Sequence, residues 1–287
     1  MGSADAPVRA DQAFRERAGE TWVLLQEQTD AQLDPFGRAA LEKLALPSGA
    51  RILDVGCGCG QTLLELIELV GPGGHVVGVD VSEPMLARAR ERAAGHSGIE
   101  LCHANAQTHP FAAADFDALF SRFGVMFFED ARAAFANLRR ALRPAGRMAF
   151  VCWQAPSANP WAELPLRAVM KVLGSNELPE LFRPECPVLF YFSDPDRVRA
   201  ILSDAGLSDI EVERFDRSLS VGGARTLEEA SAYCRQIGPA ARAMADAPAT
   251  LRPALEAAIA SALAPFVSER GVWMEAAAFI VTAGVRA

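Results

Sequence analysis

Nowhere do the 287 residues contain an uninterrupted apolar run of the roughly 18 residues that a membrane-spanning helix needs, so insertion into a bilayer is not expected. The opening stretch, MGSADAPVRADQAFRER, lacks the continuous apolar segment of a secretory signal, and a cytoplasmic location is expected. An excess of positive charge is missing as well. Twenty-eight basic against thirty-six acidic residues leave a formal charge of -8, which opposes long-range attraction to phosphate backbones and argues against nucleic acid as a partner. The six cysteines, at 57, 59, 102, 152, 186 and 234, are scattered through a long chain without an export signal, so no disulfide framework is expected. No second C-x-C or C-x-x-C pair completes a metal site with Cys57 and Cys59, and no metal is expected. There is no internal repeat and no low-complexity segment beyond Ala-rich helical patterns.

About half of the positions are apolar, enough for a substantial core. From 51 to about 154, short apolar runs alternate with helical patterns, the arrangement of parallel strands joined by helical crossovers. Strands are predicted at 51–55, 75–79, 99–102, 116–120 and 147–153, and helices near 61–70, 84–94 and 130–142. Breakers fall between them at Gly71-Pro72-Gly73-Gly74 and Pro144-Ala145-Gly146. Two helices are expected before Pro47, the first carrying Phe14, Ala18, Trp22 and Leu25 at helical spacing. Residues 155–192, rich in Pro and aromatics without clear periodicity, read as a loop or lid. A helix restarts at Asp194-Pro195, strands follow at 209–215 and 276–283, and two helical patterns lie between them, one opened by Thr226 and Glu229 at capping-box spacing.

The stretch ILDVGCGCG (52–60) ends a strand in a glycine turn that opens a helix, which brings backbone close to a ligand at the carboxyl edge of the sheet. Its spacing is Gly56-x-Gly58-x-Gly60, and Gln61 stands where the dinucleotide fingerprint has its third glycine. Asp54 puts a carboxylate beside the turn, an awkward neighbour for a pyrophosphate and a natural one for a cation. Asp80 ends the second strand about twenty residues later, placed to accept from two ribose hydroxyls. Together these features suit a nucleoside ligand.

With these residues in place, the chain resembles the class I S-adenosylmethionine-dependent methyltransferases, particularly the bacterial group related to the ubiquinone and menaquinone C-methylases. ILDVGCGCG resembles that family's first motif, VVGVD (76–80) its second, and SEPMLARAR (82–90) the helix after it. ANAQ (104–107), THPF (108–111), FDALFSRFGVMFF (116–128) and LRRALRPAGRM (138–148) continue the series in order. The resemblance implies S-adenosyl-L-methionine as cofactor, with Gly56, Gly58 and Gly60 at its methionine portion, Asp54 toward the ammonium and Asp80 on the ribose. Val81 and Met85 would flank the adenine and Asn105, where relatives commonly carry Asp, would accept from its amino group. Cys57, Ala106, Gln107, Ser121 and Arg122 complete the implied cofactor contacts.

The resemblance implies methyl transfer to a small-molecule acceptor at oxygen, carbon or nitrogen, by an in-line displacement in which a dedicated base is optional. Ser121, Arg122 and Phe123 would end the fourth strand beside the methyl position. Phe123, Trp153, Trp161, Tyr191 and Phe192 are expected to wall an apolar acceptor pocket, with lid packing as the other reading. Arg122 is either a partner for an anionic acceptor or a salt-bridged support for the lid. His109 is either a structural neighbour of the adenine or a general base. The expected fold is an α/β Rossmann-like, seven-stranded, mostly parallel sheet with helices on both faces and a helical cap. Its expected parts are an N-terminal helical cap (1–49), a cofactor-binding core (50–154), a lid insertion (155–193) and a C-terminal part of the sheet with a helical insertion (194–287). Three other functions are kept in view. An NAD(P)-dependent oxidoreductase is disfavoured by the glycine spacing and by the lack of a Tyr-x-x-x-Lys pair. The others are a non-catalytic nucleoside-binding module and an arsenite methyltransferase using Cys57 or Cys59 with Cys102 and Cys152.

Overall fold

The computed structural model describes residues 19–179, 182 and 189–286. Helix α1 (Gln26–Leu44) leads into β1 (Arg51–Val55), and α2 (Gln61–Val70) follows the glycine turn. Gly60, at φ +84°, supplies the left-handed step that lets α2 start at once. The helix then buries Leu63, Leu66 and Val70 on one face. Next come β2 (His75–Asp80), α3 (Glu83–Arg92), β3 (Ile99–His103), β4 (Phe116–Arg122), α4 (Ala131–Ala141) and β5 (Leu142–Trp153). The Asp130 side chain caps α4 by accepting from Ala133 N–H. The C-terminal elements are α5 (Pro160–Val172), α6 (Pro195–Asp204), β6 (Ser208–Ser220), α7 (Leu227–Gln236), α8 (Pro239–Met244), α9 (Arg252–Leu263), β7 (Val267–Ser268) and β8 (Gly271–Gly284). Asp194 caps α6, and both bonds of the Thr226–Glu229 capping box are made on α7.

The strand order is β3-β2-β1-β4-β5-β8-β6, parallel from β3 to β5 and antiparallel at β8 and β6. The sheet has eight strands and not the expected seven. The extra one is β7, two residues that pair back onto Val272 and Gly271, too short to leave a periodic trace in the sequence. The direction of winding reverses between β1 and β4, the point at which open α/β sheets bind ligands.

The reading of 155–192 as loop needs a second correction, because thirteen of its residues form α5. Ala162, Pro165, Leu166 and Val169 are buried at i, i+3, i+4 and i+7, a helical face that two prolines disguise. Pro160 sits at the first turn, where its missing N–H costs nothing, while Pro165 removes one hydrogen bond inside the helix. Residues 180–181 and 183–188, including Cys186, lie outside the described residues, as do Phe14 and Ala18 of the first expected helix. Leu25 is buried and Trp22 packs against the core.

The last two strands determine where the cap stands. Trp153, the end of β5, pairs with Ala278, but β6 and β8 stay paired as far as Ser220 and Trp273. At about 3.3 Å per residue this overshoot carries the turn after β6, and α7 with it, above the carboxyl edge of the parallel strands.

Candidate active site

Three parallel strands converge on the glycine turn. Gly56 N–H donates to Val79 O at 2.8 Å, which ties the turn to β2. Gly56, at φ +71°, lies so close to the loop after β4 that a Cβ on it would stand 2.8 Å from Gly124 Cα. A Cβ on Gly58 would meet Met85 Cε at 3.0 Å. The turn is therefore shaped by glycine at the positions where backbone must leave room. Asp80 fastens it from the other side: its two carboxylate oxygens accept from Gly58 N–H and Ser82 N–H, each at 2.9 Å. Burial raises the Asp80 pKa above the usual carboxylate value, against the pull of those backbone donors.

Asp54 is fully buried at the end of β1. Its Oδ2 accepts from the Thr62 hydroxyl, while Oδ1 has no partner. Burial pushes this carboxyl up to about 7, opposed by the Thr62 hydrogen bond and the positive charge of Arg122. One other fully occluded side-chain oxygen among the described residues lacks a partner, Ser82 Oγ. Both orphans flank the glycine turn. An unpartnered buried oxygen is costly unless something else pairs with it. The set suits a ligand carrying an ammonium on the β1 side and hydroxyls on the β2 side.

At the β3 side, Asn105 Oδ1 accepts from Gln107 N–H at 3.0 Å, and Gln107 Oε1 accepts from Asp130 N–H at 3.0 Å. Asn137 on α4 donates to Ala106 O and His109 O, at 3.0 and 2.9 Å, and fixes this loop. Val81 is half exposed beside Asp80. Ser121 is buried; its hydroxyl donates to Val55 O at 2.7 Å and accepts from Gly124 and Val125 N–H, stapling β4 to β1.

A family model described as "Methyltransferase domain" matches residues 52–146. Nocamycin O-methyltransferase of Saccharothrix syringae is 33% identical over 203 residues, 67% of this chain and 71% of that enzyme. The chain belongs to the class I S-adenosylmethionine-dependent methyltransferases. A demethylmenaquinone methyltransferase of Staphylococcus carnosus is 30% identical over 188 residues, 62% of this methyltransferase and 76% of the relative. The fold also resembles phosphoethanolamine N-methyltransferase 2 of Haemonchus contortus, solved with S-adenosyl-L-methionine, at TM-score 0.54 and 22% identity over 88% of the chain. The methyltransferase spans about half, 53%, of that worm enzyme. Its methyl donor is S-adenosylmethionine and its acceptor a small molecule.

Beyond the glycine turn, the methyltransferase gathers aromatic rings at the ends of β4 and β5. Phe123 stacks on Trp153 with centroids 4.1 Å apart, Phe36 from α1 packs edge-on to both, and Trp161 from α5 lies 5.0 Å from Trp153. Phe123 holds φ +62°, a left-handed backbone that is rare for an aromatic residue and recurs at functional sites. Three of the five expected wall residues thus come together, and Tyr191 and Phe192 do not. Tyr191 packs on Phe192, which joins Phe135 and Phe150 on the other face of the sheet. Along β5, Phe150 and Trp153 are three residues apart and point to opposite faces.

Arg122 donates to Gln61 Oε1 at 2.5 Å and to Asp30 Oδ1 at 3.0 Å, partners on α2 and α1 and not on the expected lid. Asp30 also takes Arg92, which reaches Cys59 O at 3.0 Å. His109 sits against Cys102 and Phe111 at the β3 end, on the far side of the glycine turn from the aromatic cluster. Burial raises the pKa of Cys57 well above the usual thiol value, that of Cys59 to about 11, and that of Cys152 as well. That opposes the thiolates an arsenite site needs. Among the described residues no three His, Cys, Asp or Glu side chains gather as a metal site.

Sequence reasoning passed over Ser82, Asn137 and Asp30. Ser82 was within reach of it, as the residue two beyond Asp80 at the start of a helix.

Proposed function

We propose that this methyltransferase acts on an apolar, ring-bearing small molecule and methylates an oxygen or a ring carbon. The observation that carries this is the aromatic cluster of Phe36, Phe123, Trp153 and Trp161, which begins where Gly124 touches Gly56 at the glycine turn. A flat ring stacked there lies beside the donor end of the cleft. The names of the two bacterial relatives, an O-methyltransferase and a demethylmenaquinone methyltransferase, support an acceptor of this kind.

S-adenosylmethionine, when bound, supplies an electrophilic methyl carbon whose bond to sulfur breaks with its electron pair leaving on sulfur. The protein holds and shields. Asp54 sets its charge beneath the ammonium, Gly56, Gly58 and Gly60 give the methionine portion its space, and Asp80 takes the ribose hydroxyls. Val81 and Met85 offer apolar surface to the adenine, with Asn105, Ala106 and Gln107 at its edge. Phe123 and Trp153 align the acceptor, and the acceptor proton passes to solvent at the open side of the site.

The test is methyl transfer by the purified protein, followed by mass spectrometry, over hydroxylated rings, alkyl amines and phosphorylated amines. Gain of one methyl is expected on hydroxylated rings. Transfer to amines alone overturns the reading.

A further inference from the structure

Helix α1 runs from the glycine turn to the aromatic cluster, and one face of it holds donors that have no acceptor among the described residues. Phe36 lies in the aromatic cluster; Gln32 and Thr29 stand one and two turns before it on the same face. Gln32 is 3% exposed and its Oε1 accepts from Gly222 N–H at 2.7 Å. That bond fixes the orientation of the amide and leaves both Nε2 hydrogens without an acceptor among the described residues. Nε2 is not among the fully occluded atoms that lack a partner. Thr29 Oγ1 and Tyr233 Oη lie 3.3 Å apart, both residues buried. The two hydroxyls carry two hydrogens and their contact uses one, so the second has no acceptor among the described residues either.

The positions of these groups are built into the fold. Gly222, at φ +59°, lies so close to Tyr233 that a Cβ would stand 2.4 Å from its ring. The turn carrying Gly222, and α7 carrying Tyr233, stand above the carboxyl edge because β6 and β8 run past the end of β5. Buried donors left without acceptors among the described residues, one and two turns along α1 from the aromatic cluster, call for a ligand oxygen. We infer that Gln32, Thr29 and Tyr233 form a donor set that takes an oxygen of the acceptor, a carbonyl or a phenol-type oxygen, and so select oxygenated rings over their deoxy counterparts. Burial raises the Tyr233 pKa, which keeps the hydroxyl protonated and a donor at neutral pH.

The inference rests on the ring-acceptor reading above, and its test separates the two. Turnover of a hydroxylated or keto ring and of its deoxy analogue is compared in the parent, Tyr233→Phe, Gln32→Glu and Thr29→Val. Gln32→Glu keeps the acceptor for Gly222 N–H and removes the two amide hydrogens; Thr29→Val removes the hydroxyl. S-adenosylhomocysteine affinity reports an intact donor side in each variant. The parent is expected to prefer the oxygenated ring at least about tenfold, with each of the three variants raising KM for that ring alone by a similar factor. Folded variants that bind S-adenosylhomocysteine and discriminate as the parent does overturn the inference and leave the ring-acceptor reading standing. A parent that methylates no ring overturns both. Should Tyr233→Phe fail to fold, Gln32→Glu decides the matter by the same comparison.

Discussion

Burial without a full set of partners pushes the Asp54 carboxyl up to about 7, so the ligand-free enzyme carries a group that changes charge near neutrality. An unfolded Asp ionises near about 3.9. Between these values the folded state holds the extra proton, so stability from this group is full below about pH 4 and falls as pH rises toward 7. Three units correspond to about 4 kcal/mol, an order of magnitude only. Asp54→Asn removes that loss, and at pH 8 the ligand-free variant is expected to melt above the parent. Pairing with an ammonium favours the ionised form, so S-adenosylhomocysteine affinity should rise with pH up to about 7 and then level off. Calorimetric titration across that range checks both, and an affinity that stays flat removes Asp54 from the site. Asp80→Ala should weaken binding about ten- to a hundredfold, since a hydrogen bond to a charged group is worth roughly 1.5 to 3 kcal/mol. The Gly58 and Ser82 bonds add a loosened turn to that loss, visible as faster hydrogen exchange at Gly58. Asp54 and Asp80 were legible in the sequence because each ends a strand beside the glycine turn. Ser82 Oγ and the hydrogen-bond inventory of Gln32 were not, because an unpartnered atom is defined by everything that fails to reach it.

Helix α1 is held over the glycine turn by a polar stripe at i, i+4 and i+8, formed by Gln26, Asp30 and Asp34. Arg88 reaches Gln26, Arg92 and Arg122 share Asp30, and Gln61 reaches Asp34. Asp30, Arg92 and Arg122 keep only 15%, 19% and 12% of their side-chain exposure, which puts these pairs between surface and buried behaviour. Asp30→Ala should therefore cost about 1 to 3 kcal/mol. It should also speed the release of S-adenosylhomocysteine, because the element that covers the turn is then held at fewer points. Stopped-flow dissociation measures this; equal rates in parent and variant would show that the stripe is no barrier. The stripe's periodicity is present in the sequence, but its partners lie 27 to 92 positions away, and only the sheet order brings them to one place. That is why the sequence alone does not pair Arg122 with Asp30. Helix α5 escaped for a different reason: Pro160 and Pro165 break the local pattern, while burial of Ala162, Leu166 and Val169 stabilises the helix regardless.

For the whole molecule, ligand linkage gives the broadest check. At about a hundredfold excess over its Kd, S-adenosylhomocysteine adds roughly 2.7 kcal/mol to stability, an upward Tm shift of about 5 to 10 °C. NADH is expected to add nothing, and a shift with NADH alone would contradict the cofactor assignment. The parallel half of the sheet was readable from the sequence because most of its strands are short apolar runs with glycine close to one end, although β5 begins at Leu142, five residues before its expected start at 147. The antiparallel half was readable only in part. Strand β8 begins five residues before its expected start at 276, and β6 runs on five residues past its expected end at 215. These extensions are sparsely patterned because they stand above the core, yet they carry the acceptor side. Their overshoot divides the chain by what each stretch answers to. The family match runs from 52 to 146, taking in the glycine turn and ending before Trp153. In the acceptor reading proposed above, Trp153, Trp161, the turn after β6 and one face of α1 meet whatever is to be methylated. Over generations the two ends are free to drift at different speeds, and a graft of the later segment from a relative would carry the taste for an acceptor with it while the fuel stayed the same.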